Sequence, residues 1–363
     1  MVDIRRSVEV EYWVVDEEGR LTEPGDLVDA SPGVEREFVE PLLEVKTTPC
    51  ETTAQLRAEL FGRVGRVLER AADLDKRLVP LATPVNAGEI RDLPSERTRV
   101  QERVVGEDFE YVRHCAGTHV HVEQLPGRAV DQLNVFIALD PALALVNSSP
   151  YFGGEHVAAG ARSELYRRMA YGDVPHQGRL WRYAADTGEW TRRLERRYEE
   201  FVAAALDAGA DRRAVAANFT PETAVWTPVQ LRETFGTVEW RSPDTAVPSR
   251  VVRLADDLAG VVEHLADTDL QVGGAPGLAE DAVVVPDFET VLGYVDTAIE
   301  DGLESDALRA YLDRMGFDTD AYAPVARDLA DRGTVTQAEA RELRLDHAAR
   351  LERDLQQVAV GDD

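Results

Sequence analysis

Glu9 and Glu11 stand two residues apart in Val8-Glu-Val-Glu-Tyr-Trp-Val-Val15, a β-branched and aromatic run near the N-terminus. Such a run reads as a strand whose successive side chains alternate between faces. Val8, Val10, Tyr12 and Val14 fall on one side, and Glu9 and Glu11 fall on the other, followed by Trp13 and Val15. Two residues along a strand span roughly 6.7 Å. Two anions at that separation repel by about 0.6 kcal/mol in water and about 2.5 kcal/mol at an effective dielectric of ~20. A solvated face carries the pair cheaply, whereas a sheltered one requires positive charge, which hard divalent cations with oxygen ligands supply.

Three further stretches repeat the design. In Leu42-Leu-Glu44-Val-Lys-Thr47, stopped by Pro49, Glu44 alternates with Leu43 and Val45. In Gly117-Thr-His119-Val-His121-Val122 the two histidines share a face with Glu123, and in Val238-Glu239-Trp240-Arg241 the Glu and Arg oppose Val238 and Trp240. Any one of these reads as a solvated strand face in so acidic a chain. The set does not, because exposed faces elsewhere mix Asp, Glu and Arg without His. A sheet covered by helices on one side gathers all four groups on its open side. Carboxylates, imidazoles and an arginine fork on one surface are metal-capable and phosphate-capable groups. No P-loop string is present.

The elements that must position these residues follow from periodicity. A helix capped by Thr52 or Thr53 carries Leu56, Leu60, Val64, Val67, Leu68, Ala71 and Leu74 on one face. Others run from Arg128 to Val146 with a break at Pro141, from Glu189 to Gly209, and over Val251, Leu254, Leu258, Val261, Val262 and Leu265. Leu78 to Ala82 reads as a short strand. The stretch 84–114, charged and interrupted by Gly and Pro, reads as a long functional loop with some helix to which no role is assigned, and 155–188 reads as loop and lid material. Gly273-Gly-Ala-Pro-Gly277 is the natural linker. It divides a catalytic domain, 1–272, from a helical segment, 273–363, whose apolar positions are too sparse for an independent core and which is expected to dock on the main body.

Composition sets bounds. The 363 residues carry 40 basic and 68 acidic side chains, a net charge of -28, yet 44% are hydrophobic, which is globular rather than disordered. Only Lys46 and Lys76 are lysines. An acidic surface almost free of lysine points to a high-salt cell, where self-repulsion is screened within a few ångströms. It argues against phosphate-backbone binding to nucleic acid and disfavours anionic membranes. Two cysteines, Cys50 and Cys115, are too few for a disulfide scaffold or a zinc motif and read as buried small residues. With no signal peptide and no uninterrupted apolar run of ~18 residues, a cytoplasmic protein is expected.

Glu9-x-Glu11, Glu44 before Thr-Pro-Cys, Gly117-Thr-His-Val-His-Val, Ser149-Pro-Tyr-Phe-x-Gly154, Arg162-Ser163 and Val238-Glu-x-Arg241 occur in an order that resembles the glutamate–cysteine ligase family of the bacterial carboxylate–amine ligase type. The likeness covers roughly residues 5–265, with Ser7 where the family often has Gly. It implies an α+β, glutamine-synthetase-like fold, an antiparallel sheet curved into a half-barrel with helices on its outer face. ATP and Mg²⁺ would lie on the concave side. The implied reaction is activation of the glutamate γ-carboxylate by ATP and attack by the amine of cysteine. On the same basis Glu9, Glu11, Glu44, His119 and Glu239 are implied metal ligands, with Glu9, Glu11 and Arg241 toward the nucleotide. Arg241 is implied as a phosphate clamp and Arg162 as a substrate or phosphate contact. Two readings of the residues stay open beside it. A metal-dependent hydrolase would use the same groups around an activated water, although no HExxH string is present, and an acidic cleft can merely hold cations. Among ligases, an acceptor other than cysteine is the further alternative.

Overall fold

The computed structural model describes residues 4–361 other than 173, 175 and 331. Its centre is a seven-stranded sheet built from β1 (Arg6–Asp16), β2 (Val34–Arg36), β3 (Leu42–Lys46), β4 (Lys76–Val79), β5 (Thr118–Glu123), β8 (Val229–Arg232) and β9 (Thr237–Trp240). Between β5 and β8 lies a small hairpin of β6 (Tyr151–Phe152) and β7 (Glu155–His156). The order across the sheet is β2-β3-β1-β5-β9-β8, with β4 also on β1, and every pairing is antiparallel. The sheet is open rather than a closed barrel. β2 and β8 are the strands of this sheet that spacing alone did not mark; at three and four residues they are too short to show a pattern.

One face of the sheet is dry. Val8, Val10, Tyr12 and Val14 are fully buried against the helices Thr53–Asp73 and Pro248–Asp267. The first of these presents Leu56, Leu60, Val64, Val67 and Ala71 to the core, and its start is fixed by Thr52, whose side chain accepts from Gln55 N. The second buries Val251, Leu254, Leu258, Val261, Val262 and Leu265 in the same core. The apolar stretch Ala129–Val146 is long and apolar enough to cross a membrane, but it is mostly buried in this core, as a helix to Leu139 and 3₁₀ turns from Asp140.

The other face is divided in two. Beyond Glu11 the strand continues with Trp13 and Val15, both fully buried, and the C-terminal helix Gln337–Gly361 covers them with Ala340, Leu343 and Ala348. Only the Glu9/Glu11 end is left facing a cavity. The residues after 273 thus seal the sheet face beside the site, and Val283, Val285, Val291 and Leu351 join the main core. Gly273–Gly277 is a turn inside a small sheet, in which β10 (Asp269–Val272) pairs parallel with β12 (Ala282–Val285) and β11 (Gly277–Leu278) flanks it. The stretch 84–114, expected as loop with some helix, carries a ten-residue helix, Glu96–Val105, capped by Ser95. In 155–188, Ala161–Glu164 and Leu165–Met169 are helical, the latter with π-type turns.

Candidate active site

Register decides which side chains meet. Across β3-β1-β5, Lys46 pairs with Glu9 and Glu9 with His119. One row over, Glu35 pairs with Glu44 and Glu44 with Glu11. On the other side Ser7 pairs with His121, His121 with Glu239 and Glu239 with Gln230. The pleat carries directly paired residues to the same face, so three parallel rows of polar groups line one side. They enclose a cavity of roughly 320 Å³ that holds Glu9, Glu11, Glu44, His119, Glu239 and Arg241 together.

Gly117 shows why the site string begins with glycine. Its N–H donates to Glu11 Oε2 at 2.6 Å, and a Cβ at this position would collide with the guanidinium of Arg162. Arg162 itself does not line the cavity. It is buried behind the end of β9, donates to the carbonyls of Arg241 and Ser242 at 3.0 and 3.1 Å, and sits 4.9 Å from the Tyr166 ring centroid. The expectation of a direct substrate contact is thus not met by its placement, which supports the backbone that carries Arg241.

Glu239, 1% exposed, is the electrostatic hub. Arg241 lies 2.6 Å from one of its oxygens and Arg232 2.8 Å from the other, with His119 Nδ1 at 3.5 Å and His121 Nε2 at 3.7 Å. Burial opposes its charge, but Arg241 and its neighbours hold the carboxyl down at about 2. Glu9 lies 3.1 Å from His119 Nδ1 and is likewise held below the ordinary carboxylate range, against its burial, by that histidine. Burial keeps His121 below its ordinary imidazole value, so near pH 7 it is neutral with a lone pair to offer. Its Nε2 is buried without a hydrogen-bond partner, 3.8 Å from Glu9 and 3.7 Å from Glu239.

The opposite end behaves differently. Glu11, Glu37 and Glu44 bring carboxylate oxygens within 4.8 Å of one another. Burial, then Glu9, push Glu44 up to about 8 although Lys46 Nζ lies 2.8 Å away. Glu37 is raised well above its ordinary value by burial and by Glu44 and Glu11. Carboxyls this crowded need a proton or a cation. Two more sets, Glu9/Glu44/His119 and Glu9/His121/Glu239, also place three ligand atoms within 4.8 Å. The residues therefore fit divalent cations, the all-oxygen set suiting Mg²⁺ best and imidazole suiting softer ions.

Sequence reasoning missed several groups at this cavity. Glu37 sits just after β2, where nothing local marks it. Arg97, Arg232 and Trp226 come from segments with no strand alternation to flag them. Phe235, 61% exposed, stands at the edge with its ring edge-on to His121 at 5.9 Å and Arg232 over it at 5.3 Å. His121 was seen on the right face but not among the ligands.

Solved structures share this open-sheet architecture. The crystal structure of glutamate–cysteine ligase from Francisella tularensis in complex with AMP matches with a TM-score of 0.62 at 14% identity, over 98% of this chain and 89% of that one. A bifunctional glutathione synthetase from Pasteurella multocida matches with a TM-score of 0.51 at 15% identity, over 96% of this chain and 52% of that one. These establish the fold as that of a glutamate–cysteine ligase. The chain belongs to glutamate–cysteine ligase family 2, whose model matches residues 7–360, well past the point near 265 where the motif likeness ends. A Rhodococcus jostii protein provisionally named glutamate–cysteine ligase 2-1 is 28% identical over 327 residues, 86% of this chain and 79% of its own length. One from Chloroflexus aggregans, provisionally named glutamate–cysteine ligase 2, is 30% identical over 187 residues, 47% of this chain and 46% of its own.

Proposed function

We propose that the protein is an ATP-dependent ligase that joins the γ-carboxylate of L-glutamate to the amine of L-cysteine through a γ-glutamyl phosphate. A γ-carboxylate oxygen would attack the terminal phosphorus of ATP as the bond to the bridging oxygen breaks, releasing ADP. The amine would then attack the acyl carbon, losing a proton as phosphate departs. The observation that carries this reading is the convergence of Glu9, Glu44, His119, His121 and Glu239 with Arg241 on one sheltered sheet face.

Glu9, Glu11, Glu44, His119 and Glu239 are the residues to hold Mg²⁺, and Glu37 and His121 extend that set. Mg²⁺ there would neutralise charge on the phosphate oxygens. Arg241 points one nitrogen at Glu239, while its Nε is buried without a hydrogen-bond partner. That leaves the fork able to take a phosphate oxygen without losing its anchor. Arg162 acts as a positioning residue for Arg241, through the carbonyl it binds. The apolar wall of Val104, Phe109, Phe201 and Trp226 limits water around an intermediate that water would hydrolyse.

The test is ADP release in molar KCl with glutamate and each of several amines, together with product mass. Cysteine-dependent ADP release and the mass of the γ-linked dipeptide are expected. Release dependent on another amine would keep the ligase and discard cysteine. Turnover of substrates without ATP would sink the ligase reading in favour of a hydrolase.

A further inference from the structure

The helix Glu96–Val105, from the stretch to which the sequence assigns no role, forms part of the cavity wall and brings Arg97 to it. This guanidinium is held from three sides. One terminal nitrogen donates to Asn218 O at 2.8 Å, the other to Thr223 O at 2.5 Å, and the group lies 4.6 Å from the Phe219 ring centroid. Carbonyls and a ring fix its position without neutralising it. No described carboxylate comes within ion-pairing distance of Arg97, in a chain where 68 acidic residues outnumber 40 basic ones. Arg232 and Arg241, by contrast, are both engaged by Glu239. Burial and the nearby Arg241 each disfavour the charge on Arg97, so its surroundings lack an anion.

A guanidinium has five N–H groups. Two are used here, and the three that remain can serve a planar, two-oxygen acceptor. A carboxylate has that form. The metal-capable carboxylates stand on the sheet and would place a metal-bound triphosphate there, whereas Arg97 is carried by the helical wall, on the same helix as Val104. An amino acid can meet both surroundings with one end each. We propose that Arg97 receives the α-carboxylate of an amino-acid substrate and makes the site select α-amino acids over their decarboxylated counterparts. This rests on the ligase reading above. Donor and acceptor both carry such a carboxylate, and the experiment separates them.

Wild type, Arg97→Gln and Arg97→Lys are compared in molar KCl for the KM of ATP, glutamate and the amine. 4-Aminobutyrate then replaces glutamate, and cysteamine replaces cysteine. In Arg97→Gln the KM of one amino acid is expected to rise tenfold or more while that of ATP stays within twofold. Preference for that amino acid over its decarboxylated analogue, tenfold or more in wild type, should fall to about unity; the amino acid affected identifies the source. Arg97→Lys, with charge but no fork, should fall between. The preference is a ratio, so it does not depend on the fraction of protein folded, and Arg97→Lys supplies it if the Gln variant is inactive. A raised KM for ATP instead, or full preference retained in both variants, would overturn the assignment while leaving an active ligase. Absence of glutamate-dependent ADP release with every amine in wild type would instead refute the ligase reading itself.

Discussion

Replacing Glu44 by Gln should stabilise the metal-free protein and disable the enzyme. Three carboxylate oxygens lie within 4.8 Å at Glu11, Glu37 and Glu44, a spacing at which each charged pair repels by about 3.5 kcal/mol at an effective dielectric of ~20. The strain is expressed in Glu44, whose carboxyl is pushed from 4.5 up to about 8 by burial and by Glu9. A carboxyl raised in the folded state carries no penalty below pH 4.5, where both states are protonated, and an increasing one as pH rises toward 8. At pH 7 the penalty comes to about 3 kcal/mol. The Glu44→Gln substitution removes it, but Lys46 loses a partner at 2.8 Å while keeping Glu35 at 3.0 Å. That partly exposed pair is worth about 1 kcal/mol at most. The net gain is about 2 kcal/mol, or a few degrees in melting temperature for a chain of this size. Thermal melts in EDTA at pH 5 and pH 8 should show wild type losing stability with rising pH more steeply than Glu44→Gln. Added Mg²⁺ should raise the wild-type melting temperature more than that of the variant, and turnover should collapse. A metal-free melting temperature that falls on substitution, or an unchanged response to Mg²⁺, would refute the reasoning.

Two other substitutions test the remaining roles. Arg241→Lys keeps the charge beside Glu239 but loses the fork, so turnover is expected to drop by roughly 10²–10³ with a smaller change in the Mg²⁺ concentration required. Steady-state kinetics across a Mg²⁺ series measure both, and an unimpaired Lys variant would remove Arg241 from the mechanism. Cys50 and Cys115 are both buried and free. Burial pushes the Cys50 thiol up to about 12 and raises Cys115 further still, so neither is a thiolate near pH 7. The double Ala variant should keep its specific activity, and complete loss with the fold intact by circular dichroism would reopen a thiol role.

The half of the site on the sheet was legible because a strand's pleat is a local rule. Alternation in 8–15, 42–47, 117–122 and 238–241 placed Glu9, Glu11, Glu44, His119, Glu239 and Arg241 on one face before any pairing was known, and the antiparallel register then needed only to bring the rows level. The family resemblance was equally local, carried by strings such as Gly117-Thr-His-Val-His-Val. Its glycine has a structural cause that no spacing reveals, the guanidinium of Arg162 lying where a Cβ would go.

The half contributed by the helical wall was not legible, and the reason is the length of chain that separates its contacts. Arg97 is fixed by carbonyls 121 and 126 residues away. Arg232 is missed for another reason: it ends a four-residue strand too short to show alternation, although Glu239 is only seven residues on. In sequence each is one arginine among many on a charged stretch. What distinguishes them is their company, since an arginine with a carboxylate partner stabilises the apo fold, whereas one tied only to carbonyls has charge left over. The same test sorts the acids. Glu239 is paired and held near 2, while Glu37 and Glu44 are crowded and raised. Among side chains that composition alone would treat as equivalent, the uncompensated ones mark where a ligand of opposite charge completes the structure.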